Sequence, residues 1–204
     1  MKTSKEDIVA RAFPLFLAKG YEGTSMADLV SASGLSKGAF YYYFPDKASL
    51  FEACIDRFFT AYLPVPVDRA TQAEPADAVS AVVGAGGAGS GVAAFLETLA
   101  EAYARGLKEA RSLCGDASAY LRFVLSLVPL RRGLLLGQLA EGEGRLVTLY
   151  LAEHPERGRE QAALFAEQSL ALLEGIGVLA AVHNDAEPAE RFGHLLRNYM
   201  ESER

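Results

Sequence analysis

Thr24-Ser-Met-Ala-Asp-Leu-Val-Ser-Ala-Ser-Gly-Leu-Ser-Lys-Gly-Ala-Phe-Tyr-Tyr-Tyr-Phe44 is the stretch that decides the fold of this chain. It predicts two short helices joined by a turn at Ser33-Gly34-Leu35. Ser25 and Asp28 have the spacing of a capping box, in which the hydroxyl accepts from the amide three residues on and the carboxylate reaches back. Leu29, Val30 and Ala32 supply the buried side of the first helix. Gly34 tolerates the left-handed conformation that ends it, Leu35 fills the core, and Ser36 caps the second helix. Two helices linked this tightly pack roughly crosswise and present the second one to a DNA major groove.

The flanks extend the pattern. Ile8, Ala12, Leu15 and Phe16 recur at helical spacing, and Lys19-Gly20-Tyr21 marks a glycine stop. Pro14 sits inside that helix, so a bend is expected between Ala10 and Pro14. Downstream, Pro45 ends the second helix of the motif and Asp46 caps the next one. Ala12-Phe-x-Leu-Phe16, Lys19-Gly-Tyr-x-Gly-Thr-Ser-Met26, Gly34-Leu-Ser-Lys-Gly-Ala-Phe-Tyr-Tyr-Tyr-Phe44 and Asp46-Lys-x-x-Leu50 together resemble the amino-terminal domain of TetR-type transcriptional regulators. The resemblance covers about the first 55 residues. It implies an all-α protein: a three-helix helix-turn-helix domain at 1–47, then a helical bundle at 48–204 that binds an effector and dimerises.

Composition fits a cytoplasmic protein of this kind. Half of the 204 residues are hydrophobic and 23% are charged, enough to build a core and too apolar for general disorder. The two cysteines, Cys54 and Cys114, lie in apolar helical segments without metal-type spacing and are expected to be reduced. No signal pattern opens the chain. The apolar run from Phe123 to Leu130 is interrupted by Ser126 and Pro129 and followed by Arg131-Arg132, so no membrane span is expected. The net charge of −6 lies entirely beyond residue 57, because residues 1–57 hold seven basic and seven acidic side chains. Five of the six lysines fall in the first 47 residues. DNA affinity follows such local charge, and the acidic remainder opposes non-specific binding.

Along the chain, a fourth helix from about Lys47 to Tyr62 carries Leu50, Phe51, Cys54, Ile55 and Phe58 on one side. Residues 64–91 read as a connector with a short helix at Ala76 to Val83, ending in a run with five glycines in eight positions. No strand precedes those glycines and no Lys-Ser/Thr follows, so they are not a phosphate loop. Val92, Phe95, Leu96, Leu99, Tyr103, Leu107 and Ala110 then trace one helix face. Helices are expected over Ser118–Val128, from Pro129 to about Leu139, over Glu143–Ala152, over Glu156–Val182 and over Pro188–Met200. The Glu156–Val182 helix is so apolar that burial on several sides is expected.

Ser36, Lys37, Gly38 and Ala39 form the first turn of the second motif helix, the part that enters the groove. Lys37 can donate to guanine O6/N7 or to phosphate, Gly38 allows close approach, and the Ala39 methyl can meet a thymine methyl. Phe40 and Phe44 are expected in the core. Tyr41, Tyr42 and Tyr43 span too wide an arc for all to be buried. The resemblance implies phosphate contacts for Tyr41 and Tyr43, with Tyr42 facing the backbone, and further contacts from Lys47 and the Ser25 hydroxyl. It also implies a small-molecule cavity, for which Phe95, Leu99, Tyr103, Phe123 and Leu127 offer an apolar lining, so an apolar or aromatic effector is expected. A homodimer is expected through the last two helices, using Leu172, Gly175, Ile176, Leu179, Leu195 and Tyr199, with Gly177 also small enough to admit a partner. The partner nucleic acid is expected to be a palindromic double-stranded operator.

Catalytic and metal-binding patterns are absent. His154, His183 and His194 stand apart, no Glu-x-x-His or HExxH occurs, and no Ser or Cys nucleophile motif is found. No enzyme activity and no cofactor are expected. The alternative function is a helical ligand-binding or scaffold protein whose motif has lost DNA binding.

Overall fold

A computed structural model describes residues 3–62 and 91–202. Among these the chain forms eight helices and no strand, in the order α1 (Lys5–Gly23), α2 (Met26–Ser33), α3 (Lys37–Tyr43), α4 (Lys47–Tyr62), α5 (Val92–Cys114), α6 (Ser118–Glu153), α7 (Arg159–Val182) and α8 (Pro188–Ser202). The expected connector and its short helix at Ala76–Val83 lie outside the described residues.

The local signals of the first domain are met by the backbone. Ser4 caps α1 in a capping box with Asp7, Ser25 caps α2 in one with Asp28, and Ser36 Oγ accepts from the Ala39 amide at 3.3 Å. Gly34 ends α2 at φ +69° and ψ 12°, and Gly20 breaks α1 at φ +71°, both conformations that favour glycine. The Asp46 carboxylate accepts from Ser49 N at 2.7 Å and so caps α4. Pro14 lies inside α1. Backbone angles stay helical through Ala10–Pro14, and the non-helical residue of α1 is Gly20.

The second part departs more from the sequence reading. The three expected segments between Ser118 and Ala152 are one 36-residue helix, α6, interrupted only at Arg131 (φ −135°, ψ 29°). Pro129 removes one helical hydrogen bond, and the chain absorbs the fault as a kink two residues later. Arg131 forms an ion pair with Glu52 on α4 at that kink. Both α6, which runs on through Pro129, and α7 are long and apolar enough, by length and composition, to cross a bilayer, although no span was expected from the sequence. In this fold they pack most extensively against each other. One side of α7 (Phe165, Leu173, Ile176, Ala180) is buried, whereas Leu164, Val178, Leu179 and Val182 are exposed on the single chain, so burial of α7 is one-sided here.

A single apolar core runs through both parts. Phe123 of α6 is its junction. The ring lies 5.6 Å from Phe13 of α1, 6.0 Å from Phe51 and 5.0 Å from Phe58 of α4. Phe51 and Phe58 of α4 therefore pack against the second part, and α1 adds a second, direct contact. Burying one such ring stabilises by roughly 1.5–3 kcal/mol.

Candidate nucleic-acid interface

Phe40 and Phe44, fully and almost fully buried, pin α3 to the domain core. Their spacing of four turns the other side of the helix outward. Lys37, Gly38 and Ala39 are exposed on its first turn, and no atom stands within 4 Å of a β-carbon built at Gly38. Tyr42 is 84% exposed and Tyr41 37%. This end of the domain thus offers one cation, a bare backbone, a methyl group and two phenols to a groove.

Three expected contact residues are occupied within the domain. The Tyr43 hydroxyl donates to the Thr3 carbonyl at 2.8 Å, tying the amino-terminal arm to α3. A phenol has one hydrogen, so it does not also donate to a phosphate in this arrangement. The Ser25 hydroxyl donates to Asp28 Oδ2 at 2.9 Å. The backbone amide of Ser25, with its hydroxyl, holds the Asp28 carboxyl below its usual range, leaving a negative charge at that helix start. Lys47 Nζ donates to the carbonyls of Tyr21 at 2.8 Å and Thr24 at 3.1 Å, and lies 4.1 Å over the Tyr21 ring. Its ammonium retains one further N–H.

Other polar contacts escape a reading by motif. Arg11 Nη1 donates to the Ser33 carbonyl at 2.8 Å across 22 residues. Thr24, fully buried, donates to the Gly20 carbonyl at 2.7 Å, and Ser33 Oγ donates to the Val30 carbonyl at 2.7 Å. Ser33 and Thr24 could have been suspected from their places beside turns; Arg11 carries no local signal.

Residues 4–54 match the family model described as "Bacterial regulatory proteins, tetR family". The amino-terminal domain belongs to the TetR family. This TetR-type domain is 37% identical over 59 residues to the uncharacterized HTH-type transcriptional regulator YuxN of Bacillus subtilis, covering 29% of this chain and 20% of that protein. It is 35% identical over 51 residues to IcaR of Staphylococcus aureus, named a negative transcriptional regulator of the biofilm operon icaADBC, covering 25% of this chain and 27% of that one. The matched region thus spans about a fifth to a quarter of those relatives. For the whole fold, a transcriptional regulator of Aquifex aeolicus superposes over 98% of this chain and 99% of its own, with a TM-score of 0.64 and 20% identity. The fold beyond the TetR-type domain is therefore shared with solved regulators.

Outside this domain, three of the expected pocket residues, Phe95, Phe123 and Leu127, are buried, and Leu99 and Tyr103 are half-buried. Phe123 and Leu127 are buried at the junction, and Phe95 lies under the Arg145 guanidinium, 4.5 Å from ring centre to carbon. Tyr103 packs into the space left by Gly177, stacks near Tyr120 and Phe192, and donates to Glu174 at 3.1 Å. Leu99 is half-buried between them on α5. Phe95 and Tyr103 are two turns apart, about 12 Å along the helix. Among the described residues a surface hollow lies at the α7–α8 turn, lined by Asp185, Ala186, Glu187, Glu190, Arg191, His194 and Leu195.

The expected dimer residues divide. Leu179 is exposed, Gly175 has open space around it, and Leu172, Leu195 and Tyr199 are half-buried. Ile176 is only 1% exposed, so its side chain is spent in its own core. Gly177 likewise serves Tyr103 of the same chain rather than a partner.

Proposed function

We propose that the protein is a sequence-specific DNA-binding transcriptional regulator, a repressor that acts as a homodimer on a palindromic operator. The observation that carries this reading is α3, which buries Phe40 and Phe44 and leaves Lys37, Gly38, Ala39, Tyr41 and Tyr42 outward. In this docking mode the first turn reads bases through Lys37, Gly38 and Ala39, and Ser36 caps that turn at the groove. Tyr41 and Tyr42 reach phosphates, and Lys47 has one N–H left for the same purpose. Ser25 and Tyr43 support the interface through the bonds they make inside the domain.

The exposed Gly175 and Leu179 and the half-buried Leu172 of α7, with the half-buried Leu195 and Tyr199 of α8, fit a two-fold contact between copies. An apolar or aromatic small molecule in the second part releases the DNA, and the protein works in the cytoplasm, where its operator is. The supporting observation is Phe123, which touches both α1 and α4, so a shift of α6 reaches the DNA-binding domain by two routes. Electrophoretic retardation of the duplex upstream of its own gene tests the reading. The parent retards it at low concentration and Lys37→Ala does not; equal retardation of that duplex and random DNA by both proteins would reject it.

A further inference from the structure

The outward side chains of α3 are only as well placed as the short helices that hold them. Helices α2 and α3 have 8 and 7 residues, below the length at which an isolated helix persists in water. Helix α3 rests on α2, and α2 rests on α1. Whatever fixes the turn between α2 and α3 therefore fixes the angle at which Lys37 meets the groove.

Arg11 reaches that turn from α1. Its acceptor, the Ser33 carbonyl, belongs to the last turn of α2, where carbonyls lack helical partners and the helix dipole is negative. Ser33 is 2% exposed, so water has little access to it. A β-carbon at Gly34 would stand 3.1 Å from the same Arg11 Nη1. The glycine that supplies the left-handed turn thus also leaves room for the guanidinium. Just before the amino-terminal end of α2, Lys47 holds the carbonyls of Tyr21 and Thr24 in the same manner.

We propose that Arg11 is a positioning residue for DNA binding, locking the α2–α3 turn from α1 rather than contacting phosphate itself. This rests on the DNA-binding reading above. The test compares Arg11→Met, Arg11→Lys and Lys37→Ala with the parent in two ways. The first is amide hydrogen exchange of the DNA-free protein; the second is affinity, across a range of salt concentrations, for a duplex enriched by the parent from a random pool. Arg11→Met should speed exchange over residues 26–35 about tenfold, since it strands a carbonyl bonded to a charged donor. It should weaken DNA binding severalfold while leaving the slope of log affinity against log salt unchanged. Arg11→Lys, whose ammonium can still donate, should restore part of both. Lys37→Ala should leave exchange at the parental rate and make the slope shallower by about 0.9. Parental exchange in Arg11→Met, or a slope shallower by about one unit, would overturn the proposal. Exchange requires no DNA, so it separates failure of this proposal from failure of the functional reading.

Discussion

At Gly177 of α7 the ring of Tyr103 occupies the place of a β-carbon, whereas at Gly175, two residues earlier, nothing stands within 4 Å. These neighbours should respond oppositely to the same substitution. Gly177→Ala should destabilise by about 1–3 kcal/mol, the usual cost of forcing a methyl group into a filled core. Gly175→Ala should be stabilising by about 0.5–1 kcal/mol in the single chain, because alanine restricts the unfolded chain and favours the helix; a smaller gain where the protein is dimeric marks Gly175 as part of the two-fold contact. Urea unfolding at one protein concentration measures both, as midpoint shifts at constant slope. The same scale shows why Tyr103 was readable only as an apolar lining residue. Its partners Gly177, Tyr120, Glu174 and Phe192 come from three other helices, and nothing in local spacing announces that they meet.

Among elements, the first domain was legible because its signals are local. A capping box at Ser25–Asp28, a left-handed glycine at Gly34 and caps at Ser36 and Asp46 each act within four residues, and the backbone follows all of them. Proline was the less reliable guide. Pro14 lies inside α1, and Pro129 lies inside α6, which is interrupted only at Arg131. Pro14→Ala should therefore raise stability, by up to about 3 kcal/mol, by returning an amide to the Ala10 carbonyl; a melt that does not rise would mean the ring itself packs usefully. Equally invisible in sequence were ties such as Asn184, whose side chain accepts from Ala117 N and donates to Gly115 O, 67 and 69 residues away.

The carboxylates at element ends also set a pH dependence. Hydrogen bonds from Ser25, Ser118 and Arg191 hold Asp28, Asp116 and Asp185 below the ordinary value of 3.8. Between their folded and unfolded values the native state binds fewer protons than the unfolded chain. Their contribution is thus complete above about pH 4 and is lost as pH falls through the folded values. Asp116→Asn should melt below the parent at neutral pH, and the gap should close on acidification. A gap that is constant with pH would show that the carboxylate's charge is immaterial.

For the whole molecule, one core continues from the first part into the second among the described residues. Phe13, Phe51 and Phe58 meet Phe123 directly, so a movement of α6 is transmitted by packing through α1 as well as α4. An effector shifts this arrangement only by binding one form better than the other, with a coupling of about 1–3 kcal/mol as the usual scale. The exposed side of α7 predicts a dimer at micromolar concentration, and sedimentation that finds a monomer would remove the two-fold model. Selection of duplexes from a random pool tests whether α3 reads DNA. The expected result is enrichment of a palindrome whose half-sites lie about one DNA turn (~34 Å) apart, and loss of that enrichment in Lys37→Ala. No enriched sequence, or the same sequence enriched by Lys37→Ala, would contradict it.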